Sequence, residues 1–350
     1  METKIVTIDE NKIDFDLVHE AGDIIKNGGL VAFPTETVYG LGGDGLNRES
    51  SKKIYAAKGR PSDNPLIVHI ADMDALKLIV SEIPDEAFAL ADAFWPGPLT
   101  MIFNKSDIVP YETTGGLDTV AVRMPSNKIA AEFIKASGGY VAAPSANLSG
   151  RPSPTLAKYV IEDMDGRIDM IIDGGQSDVG LESTIVDLTE GHPVILRPGY
   201  ITKEMLENAL GKEVTWDRAI IDANCKTPPK APGMKYRHYA PRGELVIVEG
   251  DRQAVIEKTN FLVREAKEQG FKTGIISTSE NAGFFEADVI KCVGRQNCED
   301  EVAHNLFTIL REFDDENVDK MFSESFSGNG VGAAVMNRLL KAAGHQVISL

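Results

Sequence analysis

Apolar residues in this chain fall into short continuous runs that alternate with longer stretches of helical periodicity, a pattern typical of an α/β fold. Residues 15–27 place Phe15, Val18 and Ile25 on one helical face, so they predict a helix. The apolar run at residues 30–33 predicts a buried strand. The same criteria predict strands at residues 66–70, 99–103, 118–124, 140–143, 170–173, 183–188 and 193–196, and helices at residues 48–58, 72–80, 85–94, 128–137 and 203–210.

The stretch FPTETVYGLGGD, residues 33–44, interrupts this pattern. Pro34 ends the strand because it has no N–H to offer a sheet ladder. Hydroxyl side chains follow at Thr35 and Thr37, and the glycines within residues 40–43 predict a loop in which the backbone bends. An open α/β sheet commonly binds its ligand where a strand ends in such a loop, although an ordinary strand-to-helix connection also fits this stretch.

Residues 211–241 have little apolar periodicity and contain several prolines, so they predict a linker between two domains. Two domains also suit a chain of 350 residues, since one hydrophobic core seldom grows beyond about 250–300 residues. We therefore assign a first domain to residues 1–210 and a smaller α/β domain to residues 242–350, with a parallel-rich sheet covered by helices on both faces. In this second domain, strands are predicted at residues 245–248, 273–277, 288–293, 319–324 and 346–350, and helices at residues 253–269, 300–313 and 330–343.

Composition narrows the classes of function. A net charge of −17 argues against stable binding to nucleic acid or to an anionic membrane surface. No window approaches the run of about 18 apolar residues that would span a membrane, and residues 1–20 are acidic throughout, unlike a signal peptide. The three cysteines are too sparse for a disulfide framework and favour reduced thiols. We therefore expect a cytoplasmic protein.

The candidate chemistry of the first domain lies in its loops and strand ends. The sequence contains no P-loop, no glycine-rich dinucleotide fingerprint that opens a helix, and no GxSxG elbow. Thr119 and Arg123 share one face of a predicted strand. His69 lies in the middle of another predicted strand, where it could be a buried core residue or could bind a ligand. For the other polar residues, a solvated loop charge or a turn-capping hydroxyl is the alternative to phosphate binding. The cations, hydroxyls and amides suited to a polyphosphate are Lys58, Arg60, Ser62, Asn64, Ser145, Asn147, Ser153 and Arg197.

Taken together, these motifs make the chain similar to the two-domain form of the YrdC-type threonylcarbamoyl-AMP synthase family. The matching stretches, in family order, are FPTETVYGLG (33–42), KGRPSDNPLIVHI (58–70), WPGPLT (95–100), DTVAVRMP (118–125), AAPSANLSGRPSPT (142–155), ESTIVD (182–187), LRPG (196–199) and APGMKYRHYAP (231–241). The resemblance implies a YrdC-like twisted open sheet with helices, followed by a smaller Rossmann-like, parallel-rich α/β domain. The C-terminal region has the length and position of that second domain, but its own motifs are weak.

The resemblance also implies a reaction, in which L-threonine, bicarbonate and ATP form L-threonylcarbamoyl-AMP and pyrophosphate, with Mg²⁺ expected to accompany ATP. The product would pass to the tRNA threonylcarbamoyl transferase machinery, which modifies A37 of ANN-decoding tRNAs. By this resemblance, threonine would bind at Thr35, His69, Arg123, Ala143 and Ser183. ATP would bind at Lys58, Arg60, Asn64, Thr119, Ser145, Asn147, Ser153, Arg197, Tyr236 and Arg237, with Lys58 and Arg60 as the catalytic pair. The linker, residues 211–241, is expected to fold over the active site.

Two other classes of function stay open at this level. A concave basic pocket would suit an RNA-binding module, which the acidic balance of the chain disfavours. A C-terminal domain that docks a partner would instead suit a regulatory or assembly protein. The oligomeric state, the coordination of any metal and the role of the C-terminal domain do not follow from the sequence.

Overall fold

The computed structural model describes residues 2–221, 231 and 238–350, which fall into two compact units. The first unit takes in the described residues within Met1–Ser149, Ser153–Asp178 and Glu182–Lys235. The second takes in those within Gly150–Pro152, Val179–Leu181 and Tyr236–Leu350. Two short segments that lie in sequence within the first unit therefore belong to the second.

The sheet of the first unit has the strand order β1-β8-β2-β3-β7-β4-β6-β5-β9-β10-β11 and mixes parallel with antiparallel pairs. The mixed α/β architecture confirms the predicted fold class. Its last strand lies within residues 211–241, the segment predicted as a linker, and pairs in parallel with β10. The strands are β1 (Lys4–Thr7), β2 (Val31–Phe33), β3 (Gly40–Asp44), β4 (Ile67–His69), β5 (Leu99–Asn104), β6 (Thr119–Arg123), β7 (Val141–Ala142), β8 (Met170–Asp173), β9 (Thr184–Asp187), β10 (Val194–Arg197) and β11 (Thr215–Trp216).

Helices of the first unit start and stop at the residues that local chemistry favours. Asp14, Asn47 and Asn127 each cap a helix by accepting a hydrogen bond from a backbone N–H of its first turn. Gly59 adopts a left-handed φ of 61° and ends α2 directly after Lys58. The helices are α1 (Phe15–Lys26), α2 (Arg48–Lys58), α3 (Met73–Ile79), α4 (Asp85–Phe94), α5 (Tyr111–Thr114), α6 (Lys128–Ala136), α7 (Ala157–Met164), α8 (Lys203–Leu210) and α9 (Arg218–Ile221).

The glycine-rich stretch after Pro34 corrects one prediction. Gly40–Asp44 forms strand β3, antiparallel to β2, where the sequence predicted a loop. A Cβ atom on Gly42 would lie 2.8 Å from Cγ1 of Val141, and one on Gly40 would lie 3.0 Å from the ring of Phe33. The glycines are therefore required because neighbouring side chains pack directly against the strand backbone.

The second unit has a five-stranded sheet of order β14-β13-β15-β12-β16, in which every pair of neighbours is parallel. Val263 of α10, Ile275 of β13 and Phe322 of β15 belong to one buried apolar cluster of this unit. The strands are β12 (Glu244–Glu249), β13 (Thr273–Thr278), β14 (Val289–Gly294), β15 (Lys320–Glu324) and β16 (Val347–Ser349), and the helices are α10 (Arg252–Glu268), α11 (Glu299–Asp315) and α12 (Gly330–Ala342).

Candidate active site

Five neighbouring strands of the first unit bring polar side chains to one edge of the sheet. In the register of β4 and β6, His69 lies beside Arg123, and in that of β6 and β5, Arg123 lies beside Thr100. The next strand, β9, runs parallel to β5 and begins directly after Ser183. The antiparallel partner of β9 is β10, which ends at Arg197. One imidazole, two guanidinium groups and two hydroxyls therefore lie where these strands begin or end.

Arg123 lies at the centre of this edge and is only 4% exposed. Its Nη1 donates a hydrogen bond to the Thr37 hydroxyl at 2.8 Å, and its Nη2 lies 2.8 Å from Oε1 of Glu36. The second contact is an ion pair rather than an aligned hydrogen bond, because among the described residues neither Glu36 oxygen meets hydrogen-bond geometry. Burial of both charges is tolerated because each compensates the other. The planar guanidinium is also the group best suited to a carboxylate ligand.

The loop after β2 is folded by its own hydroxyl groups. Thr35 donates to the carbonyl of Val38 at 2.7 Å and lies 2.9 Å from the hydroxyl of Thr37. Because Thr37 also accepts from Arg123, Thr35 and Arg123 belong to one hydrogen-bonded group. The structure thus brings together two of the residues that the sequence predicted for threonine.

His69 ends β4, whereas the sequence predicted it in the middle of a strand. Burial, followed by the nearby charge of Arg123, lowers the pKa of His69 to about 3. Its Nδ1 lies 3.2 Å from the carbonyl of Ile67. The imidazole is therefore neutral near pH 7, so one of its ring nitrogens is an acceptor and the other a donor.

Arg197 and Ser183 form the other end of the group. The guanidinium of Arg197 donates to the Ser183 carbonyl and to the Ser183 hydroxyl, both at 3.1 Å. The same hydroxyl lies 2.7 Å from that of Thr100. Since Thr100 is the sheet neighbour of Arg123, Ser183 and Thr100 connect Arg197, predicted for ATP, to the strand of Arg123, predicted for threonine.

Lys58, at the end of α2, lies in a second group with the PSAN loop. Its Nζ donates to the carbonyl of Ser145, to that of Asn147 at 2.5 Å, and to Asn147 Oδ1 at 3.4 Å. The Ser145 hydroxyl donates to the same Oδ1 at 2.5 Å. The lysine is 3% exposed. Its buried charge is stabilised by these oxygen atoms of the PSAN loop. Three of the predicted ATP residues are therefore in contact.

Other predicted residues have more local surroundings. Arg60 donates to the carbonyls of Asn64, at 3.1 Å, and Pro65, at 3.0 Å, within its own loop. Ala143 donates its N–H to the carbonyl of Ile67 at 2.8 Å, next to β4. Thr119 starts β6 and Arg123 ends it, so a rise of about 3.3 Å per residue puts their Cα atoms about 13 Å apart.

Ser153 donates to Oε1 of Glu182 at 2.6 Å, and Ser153 is 1% exposed. Because Glu182 directly precedes Ser183, this bond links the predicted ATP residue to the chain of the predicted threonine residue. Tyr236 and Arg237, the remaining predicted ATP residues, lie outside the described residues, as do residues 222–230 and 232–237 of the segment predicted to fold over the site.

Four side chains of the site were not among the predicted residues. Glu36 pairs with Arg123, Thr37 accepts from Arg123, Thr100 contacts Ser183, and Glu182 accepts from Ser153. All four lie inside quoted motifs, and for the two acids the available signal was a position between hydroxyls or at the start of a buried strand. Their roles depend on partners far away in the sequence, which the motif alone does not identify.

Two features are absent from the described residues. No group of three or more His, Cys, Asp or Glu side chains among them is arranged to hold a metal ion. Within the same residues, no helix combines the length and the apolar character that crossing a bilayer requires.

A mixed α/β sheet whose strand ends bury cations beside hydroxyls defines a class of protein that binds small anionic ligands. A family model described as "Telomere recombination" matches residues 23–199, and one described as "Threonylcarbamoyl-AMP synthase, C-terminal domain" matches residues 201–344. The threonylcarbamoyl-AMP synthase of Pyrococcus abyssi is 48% identical over 348 residues, which cover 99% of this chain and 100% of the relative. That of Bacillus subtilis is 46% identical over 352 residues, with 99% and 100% covered.

Among solved structures, the crystal structure of P. abyssi Sua5 complexed with L-threonine aligns with a TM-score of 0.93 at 48% identity, covering 99% of this chain and 100% of that one. The chain therefore belongs to the threonylcarbamoyl-AMP synthase family and is an enzyme of this type. The family resemblance predicted from the motifs is confirmed over both units.

Proposed function

We propose that this chain condenses L-threonine, bicarbonate and ATP into L-threonylcarbamoyl-AMP and releases pyrophosphate. The observation that supports this most directly is the buried group of Arg123, Thr37, Thr35 and His69 beside Ser183 and Arg197. It offers a cation for a carboxylate on β6 and a second cation for a phosphate on β10, and the Thr100 and Ser183 hydroxyls connect them across β5 and β9. A reaction that joins an amino acid to a nucleotide needs these two sites to be adjacent.

The reaction balances without a covalent intermediate on the protein. The threonine amine forms an N–C bond to the carbon of CO₂, or of bicarbonate with loss of hydroxide, and gives up a proton to become a carbamate. A carbamate oxygen then attacks the α-phosphorus of ATP, and the bond from that phosphorus to the bridging oxygen of the pyrophosphate breaks. Alignment of the reactants and neutralisation of charge are the main requirements of such a step, which agrees with the absence of a nucleophile motif from the sequence.

On the threonine side, we assign the substrate carboxylate to Arg123 and the substrate hydroxyl and amine to the surrounding polar atoms. Thr35 and Ser183 supply hydroxyls, and neutral His69 supplies one donor and one acceptor. Ala143 supplies backbone beside β4. Glu36 keeps the buried guanidinium compensated before the substrate carboxylate arrives.

On the ATP side, we assign the phosphates to Lys58, Arg60 and Arg197, and we propose Lys58 and Arg60 as the catalytic cations. They would stabilise the negative charge that develops on the departing pyrophosphate. The other proposed contacts to ATP come from Asn64, Thr119, Ser145, Asn147, Ser153, Tyr236 and Arg237. Thr119 lies about 13 Å along β6 from Arg123 by strand rise, a span that an extended nucleotide can bridge.

We propose that Mg²⁺ reaches the site on the phosphates of ATP. Oxygen-rich phosphates are its preferred ligands, and it commonly binds with few protein ligands of its own. When bound, the ion neutralises part of the charge on the polyphosphate.

The burial of the cations favours a small-molecule substrate over an RNA backbone. Lys58, Arg123 and Arg197 are 3%, 4% and 5% exposed. Cations that bind the phosphates of a folded RNA must reach the protein surface, whereas a nucleotide can enter an enclosed site. We therefore retain the enzyme and not the RNA-binding alternative. A cytoplasmic location and transfer of the product to the tRNA A37 modification machinery remain predictions.

The decisive experiment measures pyrophosphate release with ATP, Mg²⁺ and bicarbonate in the presence and absence of L-threonine. We expect release that requires both threonine and bicarbonate, together with an adenylate whose mass equals threonine plus CO₂ plus AMP less one water. Pyrophosphate release that is independent of threonine would contradict the proposal. A salt-titrated tRNA binding assay distinguishes the RNA alternative, since that function predicts a steep loss of affinity with salt.

A further inference from the structure

Arg311 of the second unit is a fully buried arginine that binds a backbone carbonyl from the N-terminal half of the chain. Arg311, on α11, is 1% exposed. Its Nε and Nη2 both donate to the carbonyl oxygen of Pro152, at 3.0 and 2.7 Å. Burial of a guanidinium is costly unless its donors are engaged. Two of these donors are used to hold a three-residue segment, Gly150–Pro152, which belongs to the second unit.

The same segment has two further contacts within the second unit. The Gly150 carbonyl accepts from the N–H of Ala240 at 2.9 Å. The Arg151 guanidinium lies 3.5 Å from Asp314 Oδ2, on the same helix as Arg311. All three residues of the segment, from Gly150 to Pro152, are therefore held by atoms of the second unit.

A second segment, Val179–Leu181, lies equally close to α11. Gly180 has a φ of +79°, and a Cβ atom there would be 2.5 Å from Cα of His304 and 2.6 Å from the carbonyl oxygen of Ala303. Only glycine permits this approach of one backbone to another. The segment cannot shift toward the helix or accept a side chain at this position.

Each segment ends at the residue before a side chain of the proposed active site. Pro152 precedes Ser153, and Leu181 precedes Glu182, and these two side chains share a hydrogen bond of 2.6 Å. Ser183 follows Glu182 and binds Arg197. Since adjacent residues are covalently linked, fixing Pro152 and Leu181 limits where Ser153 and Glu182 can lie.

We infer that Arg311 is a positioning residue: by holding the Pro152 carbonyl, it places Ser153 for ATP and so gives the C-terminal unit a role in substrate binding. This inference rests on the proposed binding of ATP at Ser153. It requires no contact between Arg311 and substrate.

The test compares Arg311→Ala with wild type in the full-length chain. We expect KM for ATP to rise about tenfold, the size of a lost hydrogen bond to a charged donor, while kcat and KM for threonine stay within about twofold, as loss of a ground-state contact requires. Hydrogen exchange of the peptide spanning residues 149–155 should become faster because its anchor is lost. Exchange at the wild-type rate would overturn the inference.

Two further variants separate positioning from simple destabilisation. Val263→Ala removes buried volume from the core of the second unit without touching residues 150–152, so it should lower the melting temperature and leave KM for ATP unchanged. An equal rise in KM in this variant would overturn the inference. Arg311→Lys retains a charge and one donor and should restore most of the ATP affinity. If Arg311→Ala does not fold, Arg311→Met takes its place, because methionine keeps much of the apolar length of the side chain and has no donor: faster exchange at residues 149–155 supports the inference, and unchanged exchange contradicts it.

Ser153→Ala distinguishes failure of the inference from failure of the proposed function. If Ser153→Ala leaves KM for ATP unchanged while Arg311→Ala speeds exchange at residues 149–155, the assignment of Ser153 to ATP is wrong and the anchoring by Arg311 stands. If Ser153→Ala raises KM and Arg311→Ala changes neither KM nor exchange, the ATP assignment stands and positioning by Arg311 is wrong.

Discussion

The sheets of the two units differ in how regular they are and in what they bury. The second sheet is parallel throughout, and an α-helix lies between successive strands except between β13 and β14. The first sheet mixes both directions, includes a strand made largely of glycine, and buries Lys58, Arg123 and Arg197 at or beside strand ends. The proposed chemistry lies where the regular pattern is broken. Among the described residues, every side chain proposed to bind a substrate belongs to the first unit.

The largest effect expected from this comparison is that of Lys58→Ala in the first unit. The substitution removes a buried cation and leaves the carbonyls of Ser145 and Asn147 without their donor. We expect kcat/KM for ATP to fall about 1,000-fold, as when a group that stabilises developing charge is lost. Threonine-dependent pyrophosphate release measures it. Lys52→Ala is the matched control, because this lysine of α2 is exposed and pairs with Glu49; wild-type turnover in Lys58→Ala would show that the cation is not needed.

A somewhat smaller effect is expected for Arg123→Lys, which keeps the charge and removes the planar fork. KM for threonine should rise about 100-fold, since a carboxylate loses its bidentate partner. KM for ATP should change much less. Initial rates at varied threonine provide the measurement, with Arg264→Lys as the control because that arginine lies on the surface of the second unit. A rise confined to KM for ATP would reassign Arg123 to the nucleotide.

Glu36→Gln should have a smaller kinetic effect and a measurable effect on stability. The amide keeps the shape of the side chain but leaves the buried guanidinium of Arg123 without its countercharge. We expect a loss of about 2–3 kcal/mol in the free energy of unfolding, below the range for complete removal of one partner of a buried pair. Denaturant unfolding measures the loss. Added threonine should restore part of it, since the substrate carboxylate would replace the missing charge; equal stability with and without threonine argues against a carboxylate at Arg123.

The smallest effect near neutral pH concerns His69. Its pKa in the folded chain is about 3, below the unfolded value of about 6.5, so the unfolded chain binds more protons between these two pH values. Stability should therefore fall as pH decreases through that window, by about 1.4 kcal/mol per pH unit from this group. His69→Asn should remove the contribution of His69 to the pH dependence of the free energy of unfolding. Above pH 7 the pH dependence should be the same as in wild type. Unfolding at several pH values tests it, and an unchanged slope in the variant would mean that His69 is protonated in the folded chain.

The two units also differ in how much of their structure and function could be predicted from the sequence. Helix α2, strand β8 and helix α8 have the predicted bounds, because periodicity, caps and glycine stops are local signals. Strand β3 was missed because its glycines are required by contacts with Val141 and Phe33, which come from other strands. In the second unit, the strands and helices were predicted to within about two residues, yet no function followed from them, since its motifs are weak.

The sequence by itself determined the α/β class, the family and the residue types of the proposed site, since these depend on local pattern and on motifs that survive in linear order. Only the tertiary structure decided which of those residues meet. Three contacts join segments that are distant in the sequence. They are the ion pair of Arg123 with Glu36 and the hydrogen bonds from Ser153 to Glu182 and from Arg311 to Pro152. Strand register and helix packing set such distances, and neither is encoded in any single stretch of the chain.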